Sequence, residues 1–239
     1  MEFTYQAYAD LINTLRDCGY SICNYHNYEK KKKCVILRHD IDSSIEAALR
    51  LGEVEETLHV SSTYFLLLTS NFYNPASKTS RDQLKKLQNM GHEIGLHFDE
   101  VAYDNAEDAI EKIQREAAVL SDILETPITT VSMHRPSKTT LEANYEIPGM
   151  VNSYGQTFFH DFKYLSDSRR RWREPVMDII RSGEYNRLHI LTHAFWYHED
   201  EESIETTAGN FIRLAVGERY DQMMENITDL PAILSREVL

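Results

Sequence analysis

Four times along this chain an apolar run of strand length leads straight into side chains that can ligate a metal or move a proton. Residues 34–37 run into Arg38-His39-Asp40-Ile41-Asp42, and residues 92–98 carry His97 and end beside Asp99. Residues 129–133 run into His134-Arg135-Pro136, and residues 188–191 into Thr192-His193. Between the runs lie stretches with helical spacing. Strands alternating with helices in this way predict an α/β fold with a mostly parallel sheet, either open or closed into a barrel. In such barrels the loops after the strands converge on one mouth, so four polar strand ends in one chain point to a single site.

The intervening elements follow from periodicity and stop signals. Tyr5, Tyr8, Leu11, Ile12 and Leu15 share one helical face, which Gly19 is placed to end. A short segment is expected at residues 20–25. Ser43 with Glu46 fits a capping box for a helix lined by Ile45, Ala48, Leu49 and Gly52, and residues 62–68 read as a buried strand. Ser80 with Gln83 predicts the next cap, with Leu84 and Leu87 inward and Gly91 closing the helix. Asn105 is expected to open a long helix carried by Ile110, Ile113, Ala117, Leu120 and Leu124. Weaker strands are expected at residues 152–158 and 163–165, and residues 199–227 read as a long helical segment.

The chain has 239 residues, enough for one domain with a sizeable core, and no repeat or Pro/Gly/Ser-rich linker divides it. One domain over residues 1–239 is therefore the expectation. A formal net charge of −13 disfavours nucleic acid and anionic lipid surfaces as partners. The one basic run, residues 30–33, lies between apolar segments and reads as a solvated loop. No apolar stretch reaches the roughly 18 residues of a membrane span, so stable membrane insertion is not expected, and the N-terminal residues lack the pattern of a secretory signal. A cytoplasmic protein is expected. Cys18, Cys23 and Cys34 have neither metal-ribbon nor CxxC spacing and read as idle thiols.

Carboxylate and imidazole groups arriving from separate strands are what a catalytic metal site of the zinc type needs: about three protein ligands and an open position. Taken singly, a histidine beside a strand is more often structural, and Asp42 could merely cap the helix that follows it.

The order Arg38-His39-Asp40-Ile41-Asp42, Gly91-His92-Glu93-Ile94-Gly95-Leu96-His97, His134-Arg135-Pro136-Ser137 and Leu191-Thr192-His193 resembles the successive motifs of the polysaccharide deacetylase superfamily. These are the NodB-homology domains, or family 4 carbohydrate esterases, and the match is closest to the WbmS-like branch, over roughly residues 34–198. Ser62-Thr63-Tyr64-Phe65 matches the strand between the first two motifs. The resemblance implies a distorted (β/α)7 barrel and a hydrolase that removes an acyl group from an amino sugar. It implies Asp40 as catalytic base, Asp42 and His97 as metal ligands and His193 as general acid, with zinc the expected ion and cobalt or manganese alternatives. Ser166-Asp167-Ser168 with Arg171-Trp172 resembles the family's fourth motif, so Asp167, Arg171 and Trp172, together with Arg135, are expected to flank the substrate.

Two departures bear on the site. Val101 stands where the family's second metal-binding histidine is usual, so either Asp99 or His134 replaces the third ligand or the metal site is degraded, with His134 favoured over Asp99 because it enters from a separate strand end. His134 also stands where the family has an orienting arginine. Side chains alternate along a strand, so if Asp40 points inward Arg38 does too, and Arg38 is expected to be buried and paired with Glu93 or Asp40. The substrate expected is a small carbohydrate, such as a nucleotide-linked or lipid-linked N-acetylated sugar, with Arg169 to Arg173 available for a diphosphate. The rival readings are a hydrolase of a non-sugar amide or formyl group and a non-catalytic barrel kept for binding. Oligomeric state is not legible.

Overall fold

The computed structural model describes residues 1–103 and 108–236, which divide into two compact units, Met1–Glu199 and Asp200–Leu239. The first unit contains the sheet. Its elements run α1 (Tyr5–Asp17), β1 (Ser21–Cys23), β2 (Cys34–Ile41), α2 (Ile45–Thr57), β3 (Thr63–Leu66), α3 (Lys78–Asn89) and β4 (Glu93–Asp99). Then follow α4 (Ala109–Leu124), β5 (Thr130–His134), α5 (Lys138–Ala143), β6 (Val151–Asn152), β7 (Lys163–Ser166), α6 (Val176–Ser182) and β8 (Arg187–Thr192). The second unit holds α7 (Ile204–Met224) and α8 (Leu230–Ile233).

Every pairing is parallel, in the order β6-β5-β4-β3-β2-β8-β7. Strand β2 is central and fully buried, as its apolar run requires. One edge of β2 is shared: β1 pairs with Cys34 to Ile36, and β3 with Arg38 to Ile41. Among the described residues no pairing joins β6 to β7, so the sheet curls into a (β/α)7 barrel that stays open on that side. This is the expected distorted barrel.

Helix α1 buries Tyr8, Leu11, Ile12 and Leu15, the predicted face, and Gly19 follows it at φ 79°, a left-handed conformation that glycine adopts without strain. Two caps differ from expectation. Ser44, not Ser43, caps α2 by accepting from the Ala47 amide, and Ser77, not Ser80, caps α3 by accepting from the Ser80 amide. Each true cap has extended backbone and an amide three residues on, which sequence spacing alone resolves only to a few residues. The strand expected at residues 152–158 ends at Asn152, and a wide helical turn, Thr157–Asp161, follows because Phe158 turns inward against Tyr25 and Phe162. The helix start expected at Asn105 lies outside the described residues. Among the described residues no helix is long and apolar enough to cross a membrane.

Candidate active site

Strand polarity brings the four polar strand ends together. Asp42 follows β2, His97 lies near the end of β4, His134 ends β5 and His193 follows β8. Because Ser44 caps α2, Asp42 is free of that duty. Its Oδ1 is buried without a hydrogen-bond partner and faces His97 Nε2 at 3.4 Å and His134 Nδ1 at 3.3 Å. The two imidazole nitrogens are 3.1 Å apart.

Asp42, His97 and His134 thus bring three donor atoms close enough together that they could hold one metal ion. Donors held about 2.1 Å from one ion in tetrahedral directions stand about 3.4 Å from each other, which the three observed separations approach. One carboxylate and two imidazoles suit a borderline ion such as zinc. The residues present therefore fit the expected group.

Asp99, the other candidate for third ligand, has partners of its own. Its Oδ2 accepts from Arg135 Nη2 at 2.5 Å and its Oδ1 accepts from the Val101 amide at 3.2 Å. Asp99 is occupied, and Val101 itself is 64% exposed on the turn that follows. Arg135, expected at the substrate, spends its guanidinium on Asp99 while its left-handed backbone, φ 48°, turns the chain after His134. Glu100 accepts from the Ser137 amide and the Thr140 hydroxyl, tying the same turn to the start of α5. These contacts fix the β5 end, and so His134, against β4.

Asp40 lies beside the triad, its Oδ2 3.4 Å from His97 Nε2. Burial would raise its pKa, but Arg38 and then the histidines outweigh that and hold the carboxyl below its ordinary range. Burial likewise acts to raise Asp42, and the contacts from His134 and His97 overcome it and lower it. Arg38 is fully buried and paired with Asp40, as expected, whereas Glu93 serves the barrel floor instead, with His26 at 3.0 Å and Thr63 at 2.9 Å. Gly95 makes room for Phe65, whose ring atoms would lie 2.6 Å from a Cβ there, and Arg38 stacks over that ring at 4.8 Å.

His193 sits on the far side of Asp42, with Nε2 3.8 Å from Oδ2. Asp167, at the end of the neighbouring strand, accepts from His193 Nδ1 at 2.6 Å, from the His193 amide at 3.1 Å and from the Tyr197 hydroxyl at 3.2 Å. Burial alone would lower the imidazole's pKa, but Asp167, helped by Asp40 and Asp42, raises it to about 9. At neutral pH His193 carries a proton. Asp167, expected as a substrate contact, is completely buried and engaged with His193. Arg171 is exposed and meets the site through its backbone amide, which donates to the Asp167 carbonyl at 3.0 Å, while Trp172 packs half-buried against the core.

No protein-family model matches the chain, and no curated protein does either. Solved structures do match. A Streptococcus mutans CE4 esterase superposes with a TM-score of 0.52 at 16% identity, over 82% of this chain and 86% of that one. The fold is that of a family 4 carbohydrate esterase. A family 4 carbohydrate esterase from Bacillus anthracis also matches, with a TM-score of 0.46 at 18% identity, over 87% of this chain and 85% of that one.

Proposed function

We propose that this chain is a metal-dependent hydrolase that removes an N-acyl group, in the first instance N-acetyl, from an amino sugar or sugar precursor. The observation that carries the reading is Asp42, His97 and His134 presenting three donor atoms to one point, with Asp40 3.4 Å from His97 and His193 3.8 Å from Asp42. A divalent ion held by these three residues would supply Lewis-acid polarisation of the amide carbonyl and a more acidic water.

The chain's own residues divide the proton work. Asp40, an ionised carboxylate, takes the proton of the attacking water. His193, held in one orientation by Asp167, gives its Nε2 proton to the departing amine. An amide nitrogen leaves poorly unless protonated, so a base and an acid beside the same three donors meet what amide hydrolysis requires. A non-catalytic binding barrel has no use for a base and an acid in register, here Asp40 and a His193 held by Asp167.

The likeness of the motifs to the WbmS-like branch, which is associated with bacterial surface-polysaccharide loci, is the ground for proposing a substrate from surface-polysaccharide assembly, such as a nucleotide-linked or lipid-linked N-acetylated sugar. Zinc is the ion proposed, with cobalt and manganese as alternatives. The test is release of the acyl group from a panel of N-acetylated amino sugars and their nucleotide derivatives by protein loaded with each ion. Turnover on the panel is expected. Turnover only on formyl or non-sugar amides would move the substrate class, and none on any amide would leave the barrel a binding protein.

A further inference from the structure

Arg38 has no exposed surface, yet it lies directly beneath the mouth of the barrel. Its Nη2 donates to both oxygens of Asp40, at 2.6 and 2.7 Å, and its Nε lies 3.3 Å from Oδ1. The same guanidinium reaches across the interior, with Nη1 donating to Ser153 Oγ at 3.1 Å and Nη2 to Ser132 Oγ. Ser132 is on β5 and Ser153 just beyond β6, neither of which pairs with β2. Phe65 and Tyr154 lie against the guanidinium, their centroids 4.8 and 5.3 Å away.

A buried ion pair is a poor way to stabilise a core, since desolvating both charges consumes most of their attraction and apolar side chains of similar volume serve as well or better. What such a pair does supply is geometry. A planar fork on both oxygens fixes the carboxylate's rotation as well as its place, which a point charge does not. Here the fixed group is Asp40, and the fork is itself anchored on the open side of the barrel.

We propose that Arg38 is a positioning residue for Asp40, a strut from β2 to Ser132 and Ser153 that holds the carboxylate at the angle its role as base requires. The proposal rests on the hydrolase reading for its kinetic effect but not for its structural one.

The variants are Arg38→Lys, which keeps the charge and loses the fork, and Ser132→Ala/Ser153→Ala, which keeps the pair and loses the anchor. In zinc-loaded protein, Arg38→Lys is expected to lower kcat about 10²-fold, the scale of an ångström's misplacement. KM and metal content should stay within about twofold, because the fork touches no proposed metal ligand. The double serine variant should lose about tenfold. Guanidinium ion should restore part of the activity of Arg38→Ala where sodium at equal ionic strength does not. Crystal structures of wild type and Arg38→Lys supply the readout that needs no turnover: the Asp40 carboxylate should rotate away from its 3.4 Å approach to His97. If Asp40 keeps its orientation in Arg38→Lys, or kcat is unchanged, Arg38 only fills the barrel and the proposal is overturned. If wild type hydrolyses no amide while Asp40 still swings in the variant, the hydrolase reading fails and the positioning role stands.

Discussion

On the helix side of β2, His39 joins a buried cluster around Glu55, whereas on the barrel side Arg38 and Asp40 join the cluster around Asp42. Alternation along the strand sets the two back to back. The Glu55 carboxylate accepts from Tyr8 at 2.7 Å and His39 at 3.2 Å on one oxygen, and from Ser62 at 2.7 Å and Tyr64 at 2.8 Å on the other. His39 continues to Thr192 at 2.6 Å, so the cluster links α1, α2, β2, β3 and β8. The carboxylate's needs are met inside the protein. In the barrel-side cluster Asp42 Oδ1, the atom that faces His97 Nε2 and His134 Nδ1, is buried with no hydrogen-bond partner. The closure is of the Glu55 carboxylate, since His92 Nε2 beside it is also buried without a partner, and a closed carboxylate is a fastener. An open one, with lone pairs aimed at a common point, awaits something else.

Removing the centre of each network separates the two roles. Glu55→Ala leaves four donors facing an empty space and is expected to cost about 3 to 5 kcal/mol of stability, read from urea unfolding at neutral pH. The metal content of the folded fraction should not change. A comparable loss of metal would mean the two clusters act as one.

The closed cluster should also set the acid limit of the fold. Burial acts to raise the Glu55 pKa, but His39, His92 and Ser62 outweigh it and depress the group from 4.5 to about 2. A depressed carboxylate contributes its stability above its unfolded pKa and loses it as pH falls through the folded value. About 3 kcal/mol should therefore disappear between roughly pH 4.5 and pH 2. Glu55→Gln should flatten that limb in unfolding measured across the interval. An unchanged limb would assign acid sensitivity elsewhere.

For the open cluster the expected effect is on rate. His193→Gln keeps a donor for Asp167 and removes the titrating proton, so kcat should fall about 10²-fold or more while the unfolding midpoint and metal content stay near wild type. Asp40→Asn should slow turnover equally, but it strips Arg38 of its counter-charge, so its activity must be compared per folded molecule. A His193→Gln variant with full activity would remove the acid from the account.

The open cluster was the more legible of the two in the sequence. Asp40, Asp42, His97, His134 and His193 each follow or end an apolar run, and parallel strands must deliver such residues to one end. The sequence leaves Asp99 and His134 both as candidates beside His97, because the pairing of Arg135 with Asp99 depends on β4 and β5 lying side by side with Asp99 opposite His134. Asp167 was noticed, but its service to His193 depends on β7 lying next to β8 across 26 residues of chain. The closed cluster gave one overlooked signal. Glu55 continues the inward face of Ile45, Ala48, Leu49 and Gly52, where a carboxylate must find partners. Those partners come from α1, β2 and β3, which no local pattern joins. The cap positions of α2 and α3 were missed for a smaller reason, since several serines compete within one turn and backbone conformation chooses among them.

The measurement that bears most directly on the central claim is an anomalous-scattering map from crystals grown with zinc, alongside metal analysis of protein purified without chelator. The account predicts one ion bound by Asp42 Oδ1, His97 Nε2 and His134 Nδ1 at about 2.0 to 2.2 Å, and its loss in His97→Ala. Zinc-saturated crystals with no anomalous peak within about 2.5 Å of both Asp42 and His97 would contradict it.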